Sequence, residues 1–551
     1  MYNVSLALAF DFLSFNTRHN GRDFSPNPFF DYFWQGAIMG MGFETDSDDI
    51  EAYCPGLDCA VNTNPALINL EKMLPRFDDS NLHRLHDPGV GAFTPYHNGS
   101  TYVSAAVPAG GELFKYYGDS WFEYRESFFG KISFQTNFQE ANELVAKMSG
   151  IMPMPAAGAD NDTLFADFFK LIINVKRVFP SRTMNALPDD YKYVLSALRE
   201  YNGDVGAAVY QPKSKRSIEW LNKHGRCIDH IRPGQSTIKQ AGHGGFANRD
   251  LPAGTLITTS PLHHVRKTFA NMYAFTFEDG EWIRHEDNIV GYQLMLNYCF
   301  NHAMSTMLFC PYGGGINYLN HDRERANVKI RWAVDFPFAH NQTVLAVEPF
   351  EYLASTSRPL LGFDYVATKD IAEGEEMFLD YGDEWIRAWQ EHERNYVPYG
   401  GKSAAQHYEP ARRWNEKFAN SILRTVEEQQ ADPYPSNLQI RCHEGLLQTN
   451  SGHRHVPFSS NDEYGLSCRI LHREVCDDKQ SFVYTVEVDY VDAFGDSRPT
   501  KLSDVSRESI GFFDVPTTTD LRLPNAFRHP IGIPDEMYPE KWKDILMKIK
   551  D

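Results

Sequence analysis

Tyr381 closes the run Gly374-Glu375-Glu376-Met377-Phe378-Leu379-Asp380-Tyr381-Gly382, and its hydroxyl is of a type that can orient an amine. Some sixty residues upstream stands Asn320-His321, with a second asparagine, Asn327, seven positions after the first. Further upstream is Gly242-His243-Gly244-Gly245-Phe246, where the missing Cβ atoms leave room for backbone to approach a ligand closely. Singly, each run reads as an ordinary turn. Other chemistries are excluded by pattern. No Gly-x-x-x-x-Gly-Lys phosphate loop and no His-Glu-x-x-His occurs. The glycine run lacks the last glycine of a dinucleotide fingerprint. His263-His264 and the carboxylates near them lack metal-ligand spacing, so no metal site is expected.

Taken in order between Gly242 and Trp385, the three runs resemble the SET domain of protein-lysine methyltransferases. The resemblance implies an α+β chain with a SET-type β-fold: short strands and a knot-like C-terminal segment. It implies S-adenosylmethionine as cofactor and methyl transfer to a lysine of a protein or peptide, histone or non-histone. Tyr381 falls where the family places the tyrosine that orients the lysine. Gly242, His243, Gly244, Phe246, Asn320 and His321 fall on cofactor-binding positions. Asp380 supports the site. The chemistry suits these residue types. A lysine attacks only when neutral, yet its free pKa is about 10.4. A narrow aromatic channel disfavours the ammonium by desolvation and holds the amine in an attacking position. Where the family often has Ser-Cys-x-Pro-Asn after Asn-His, this chain has Asp322-Arg323-Glu324-Arg325-Ala326-Asn327. The alternative reading is a catalytically silent SET scaffold that binds a protein partner.

The elements that position these residues are legible in outline. A SET domain is expected over 216–395. Within it, Ser217 to His224 reads as a short helix capped by Ser217 and stopped at Gly225. Strands are expected at Thr255–Thr258, 320–332 and 363–378, a helix at 292–307 and another at 385–394. Residues 1–135 resemble a partial, degenerate second copy. Gly110, Glu112, Phe114, Tyr117, Gly118 and Trp121 fall on Gly374, Glu376, Phe378, Tyr381, Gly382 and Trp385, and Asn62 and Asn69 on Asn320 and Asn327. Thr63 stands in place of the histidine and no glycine turn precedes it, so this copy is expected not to bind cofactor. A helical spacer is expected over 136–215, a helical linker over 396–435, and a β-rich module over 436–551, where Phe482–Tyr490 alternates at strand spacing.

Composition agrees with a packed enzyme-like chain. Hydrophobic residues make up 42% and aromatics 14% of the sequence, enough for a sizeable core. A net charge of -20 disfavours direct nucleic-acid binding and suits a basic peptide. Eight cysteines without a Cys-x-x-Cys pair do not read as a disulfide or zinc framework, so free thiols in a reducing compartment are expected. No apolar run reaches the length of a membrane span and the first ten residues do not form a signal peptide, so the expected location is intracellular, in nucleus or cytoplasm.

Overall fold

A computed structural model describes residues 2–6, 8–11, 33–35, 50–53, 56, 61–73, 87–90, 92, 98–151, 166–167, 169–171, 181–225, 228–278, 281–334, 342–346, 360–397, 411–418, 421–435, 438–442, 444–449, 452–457, 466–476, 482–491, 497–514 and 525–543. The chain divides into two compact units. One holds residues 1–4, 57–73 and 100–227; the other holds 5–56, 74–99 and 228–551.

The first unit is mostly helical. The amphipathic helix expected near 136–148 runs over Gln135–Ile151, burying Phe138, Ala141, Val145 and Met148 at spacings of three and four. Tyr191–Glu200 starts at an Asp190 cap whose carboxylate accepts from the Lys192 N–H, and Val205–Ser214 starts at Asp204 in the same way. These helices share one core through Val194, Ala197, Val205 and Ala208. Ile218–His224 carries the expected Ser217 cap, with Ser217 Oγ accepting from Trp220 N. Only part of the apolar stretch 164–173 lies within the described residues, and 166–167 and 169–171 are helical there.

The second unit contains the SET-type α+β fold, built on two sheets. We label its strands β1 (Ile231–Gln235), β2 (His243–Ala247), β3 (Leu256–Arg266), β4 (Phe300–Asn301), β5 (Met307–Pro311), β6 (Asn320–His321), β7 (Val328–Trp332), β8 (Gly362–Ala367) and β9 (Glu376–Leu379). The larger sheet runs β7-β8-β3-β5-β4 and then a C-terminal strand, β10 (Ile531–Gly532). Every residue of β8 is buried, as a central strand covered on both faces must be. The smaller sheet runs β6-β9-β2-β1. Here β6 lies parallel to β9, with Asn320 opposite Phe378 and His321 opposite Leu379. Two of the three runs singled out in the sequence therefore meet as neighbouring strands, and the third, β2, pairs antiparallel with β9 on its other side. Ile257, Phe309, Phe363, Met377 and Trp542 pack in the common core.

Three features depart from the sequence reading. The segment 292–307 is not a helix. It is a 3-10 turn, Leu294–Tyr298, followed by the β4–β5 hairpin. Asn301 closes that hairpin by donating to the carbonyls of Ser305 and Met307, a tight-turn arrangement that outweighs the apolar spacing. Two cysteine pairs are bonded, Cys299–Cys310 and Cys442–Cys468. The first flanks the Phe300–Phe309 pair of β4 and β5, so strand register brings the thiols together where linear spacing gave no signal. Finally, the tail 525–543 joins the SET core through Ile531, Ile533, Tyr538 and Trp542. The rest of the C-terminal region is a seven-stranded sheet in which Phe482–Val491 is indeed a strand, packed with the helix Ala411–Lys417.

Candidate active site

The loop from Ser236 to Gly242 and strands β6, β9 and β2 of the smaller sheet meet at a buried carboxylate. Glu376 accepts from Ser236 Oγ at 2.6 Å, from Thr237 N at 2.7 Å and Thr237 Oγ1 at 2.5 Å, and from Asn320 Nδ2 at 3.4 Å. Gly244 faces this carboxylate so closely that a Cβ there would lie 2.1 Å from Glu376 Oε1. Gly242 has φ +66°, a left-handed conformation that favours glycine. These two glycines thus shape the turn. The Asn320 amide also donates to the His243 carbonyl at 2.8 Å, so strand β6 is stitched to β2.

Asn327 does the same for β7 and β9. Its Oδ1 accepts from Phe378 N at 2.8 Å and its Nδ2 donates to the Glu376 carbonyl at 3.0 Å. The Asp322–Asn327 loop that departs from the family pattern is tied down by arginines. Arg323 pairs with Asp380 at 2.9 Å and Asp383 at 2.7 Å, while Arg325 pairs with Asp322 and lies 4.3 Å from the Phe378 ring centre.

Tyr381 follows β9. Its hydroxyl donates to the Leu319 carbonyl at 2.5 Å. Burial pushes its pKa up, so it is a neutral phenol. Its backbone N–H donates to His321 Nδ1 at 3.0 Å. A histidine that accepts at Nδ1 is neutral with its proton on Nε2, in accord with burial lowering the His321 pKa. Asp380 sits beside them. Burial alone would raise its pKa, but the Arg323 guanidinium and the Gly382 N–H outweigh that and hold it low.

A cleft opens beside Tyr381, lined by His243, Asn320, His321 and Tyr381 of the residues expected from sequence. Gly242, Gly244 and Phe246 do not line it. Gly244 is turned to Glu376, and the Phe246 ring packs 2.9 Å from the position of a Cβ on Gly234. Sequence reasoning missed much of the wall: Asn297, Tyr298, Trp385, Trp389 and Phe527. The two tryptophans stack with ring centres 5.7 Å apart, and Phe527 meets them edge-on at 5.4 and 5.0 Å. Trp385 and Trp389 are one helical turn apart on the helix Asp383–Asn395, a spacing visible in the sequence. Phe527 had no such signal. The donor set fits an adenosyl cofactor: flat aromatic faces for a purine, and an Asn320 Oδ1 that accepts no hydrogen bond from the described residues.

Residues 242–382 match the family model of the SET domain. No curated protein matches the chain. Among solved structures, the chain is similar to a candidate histone methyltransferase of Plasmodium falciparum, 16% identical over 28% of this chain and 96% of that one, with a TM-score of 0.17. It is also similar to the polycomb repressive complex 2 of Chaetomium thermophilum, 16% identical over 31% of this chain but only 17% of that one, with a TM-score of 0.16.

Proposed function

We propose that the SET domain transfers a methyl group from S-adenosylmethionine to a lysine side chain of a protein or peptide. The observation that carries this is the convergence on one cleft of His243, Asn320, His321 and a neutral, half-buried Tyr381. The cofactor, when bound, supplies an electrophilic methyl on a sulfonium. His243, Asn320 and the Trp385–Trp389–Phe527 wall would hold it. Tyr381 spends its proton on the Leu319 carbonyl, which leaves its oxygen lone pairs as acceptors for an incoming amine. Because the phenol stays protonated, it orients the amine and does not act as a base. Tyr298, half-buried in the cleft wall and also held neutral, adds a second aromatic surface beside it. Such an aromatic surround favours the uncharged lysine once the cleft is filled.

The net charge of -20 supports a basic peptide substrate over nucleic acid. Among the described residues no helix is long and apolar enough to cross a membrane. Nucleus or cytoplasm is the proposed location.

The first unit repeats the hydrogen bonds of the SET signature, which supports reading it as a second SET-like copy. Asn62 bridges Phe114 in parallel, as Asn320 does Phe378. Asn69 Oδ1 accepts from Phe114 N at 2.8 Å, matching Asn327 and Phe378. Tyr117 donates to the Val61 carbonyl at 2.5 Å, matching Tyr381 and Leu319. With Thr63 in place of the histidine, this copy is read as silent.

The test is calorimetric titration of S-adenosylhomocysteine into the full chain, followed by transfer of labelled methyl groups to lysine-bearing proteins. Micromolar binding with transfer lost in Tyr381→Phe is expected. Absence of binding by folded protein favours the alternative, a silent scaffold for a protein partner.

A further inference from the structure

Three remote stretches meet on one wall of the cleft, and a single side chain holds them. Asn297 lies in the 3-10 turn Leu294–Tyr298. Its Nδ2 donates to the Ala92 carbonyl and to the Phe527 carbonyl, each at 2.8 Å, and its Oδ1 accepts from His529 N at 2.8 Å. Both N–H donors and the carbonyl oxygen are thus spent on the backbone of chain 205 residues before it and 230 residues after it. Neither partner lies within the matched SET residues 242–382.

The earlier stretch is a strap formed by 87–90 and 92. The Pro88 carbonyl accepts from His392 Nε2 at 2.8 Å, on the helix that carries the two tryptophans. Gly89 presses on the loop before β2, where a Cβ on it would fall 2.2 Å from the Gln240 carbonyl oxygen. Ala92 and Gln240 both line the cleft. The later stretch brings Phe527 against Trp385 and Trp389.

Resting on the reading of the cleft as the S-adenosylmethionine site, we propose that Asn297 is a positioning residue that locks the strap and the C-terminal tail into one wall and so sets how long the cofactor stays bound. Phe527 and His529 precede β10, which is anchored to β4 and to Tyr381 by backbone bonds, so the tail is loosest ahead of that strand. The described strap residues are tied to the wall by the Asn297 and His392 side-chain-to-backbone bonds. Loosening them lets the occupant leave sooner and hardly alters how it arrives, since changes within one binding site act mostly on dissociation.

The experiment measures S-adenosylhomocysteine dissociation by stopped flow on the full chain, with melting temperature recorded alongside. Asn297→Asp keeps the shape and the acceptor but sets a carboxylate oxygen against two carbonyls. Gly89→Ala loosens the strap from its other side without touching Asn297. Asn415→Ala is the matched control: Asn415 clamps Phe512 N and O at 2.9 and 2.7 Å in the C-terminal β-module. Both site variants are expected to release the probe on the order of tenfold faster, the loss of roughly one hydrogen bond. The control releases at the wild-type rate. Wild-type release by either folded site variant overturns the proposal, as does equally fast release by the control. If Asn297→Asp does not fold, Gly89→Ala decides alone. Failure of the wild-type chain to bind the probe is a separate outcome, which sinks the methyltransferase reading and this inference with it.

Discussion

The backbone N–H of Gly532 donates to the carbonyl of Tyr381 at 2.9 Å, joining the end of the chain to the residue read as catalytic. Their approach leaves no room for a side chain, because a Cβ on Gly532 would lie 2.8 Å from the Tyr381 oxygen. Gly532→Ala is therefore expected to push Tyr381 or the tail aside. A shift of that kind lowers methyl transfer on the order of 10²-fold at saturating cofactor. Gly291→Ala, whose added Cβ meets only Met272 Sδ at 3.9 Å, is the control and keeps wild-type turnover. Equal rates for both would show that the tail does not position Tyr381.

Tyr381→Phe removes the phenol oxygen and leaves the ring against Trp385, 5.0 Å away. Methyl transfer should fall by on the order of 10²-fold, the scale of a lost orienting contact. Affinity for S-adenosylhomocysteine should stay within about threefold, since less than one hydrogen bond's worth of binding is at stake. A variant that keeps full turnover removes Tyr381 from the mechanism.

Asn327→Ala strands the Phe378 N–H and the Glu376 carbonyl in the core, at about 1–3 kcal/mol for each unsatisfied buried group. The melting transition of this unit should drop by roughly 5–10 °C. Asn69→Ala deletes the corresponding bonds in the first unit, but Asn69 is only partly buried and water can replace it. Its effect should be less than half as large. Thermal scans of the two variants compare them directly.

Acid should weaken the second unit in two separate ranges. His263, His321, His392 and His529 are all held below the ordinary histidine value of 6.5, chiefly by burial, with His263 pushed down to about 3. Each is neutral in the fold, whereas the unfolded chain takes up a proton as pH falls through about 6.5. Folded stability is therefore full above that pH and declines below it. Asp322 and Asp380, held below 3.8, act in the same direction but only at lower pH, as the solution falls through their folded values. Melting temperatures at pH 7.5 and pH 5 should differ, with the lower at pH 5. A flat profile between them would contradict histidines held neutral in the fold. Cofactor affinity should hold until the pH falls through the depressed folded value of His321, below 6.5, because only then does a proton on His321 Nδ1 remove the acceptor for the Tyr381 N–H.

The linear sequence carried the signature runs at 242–246, 320–327 and 374–382, and with them the family, the glycine turn and Tyr381. Those residues are legible because each run is local: strand, turn and side chain sit within ten positions of one another. The capped helix after Ser217 and the strand at Phe482–Val491 were legible for the same reason.

What the tertiary structure alone decided is the remainder of the cleft. Phe246, on the glycine run, packs over Gly234 instead of facing the cleft, because strand pairing sets which face each β2 residue takes. The helix expected at 292–307 gave way to a hairpin, since Asn301 could satisfy two turn carbonyls at once. That hairpin in turn places Cys299 against Cys310. Asn297, Ala92 and Phe527 meet across more than two hundred residues in each direction, a proximity fixed by β10 adding to the edge of the larger sheet and by hydrogen bonds of one half-buried amide. Spacing encodes neighbours along the chain; which distant segments close a site depends on sheet order and packing, and these exist only once the chain has folded.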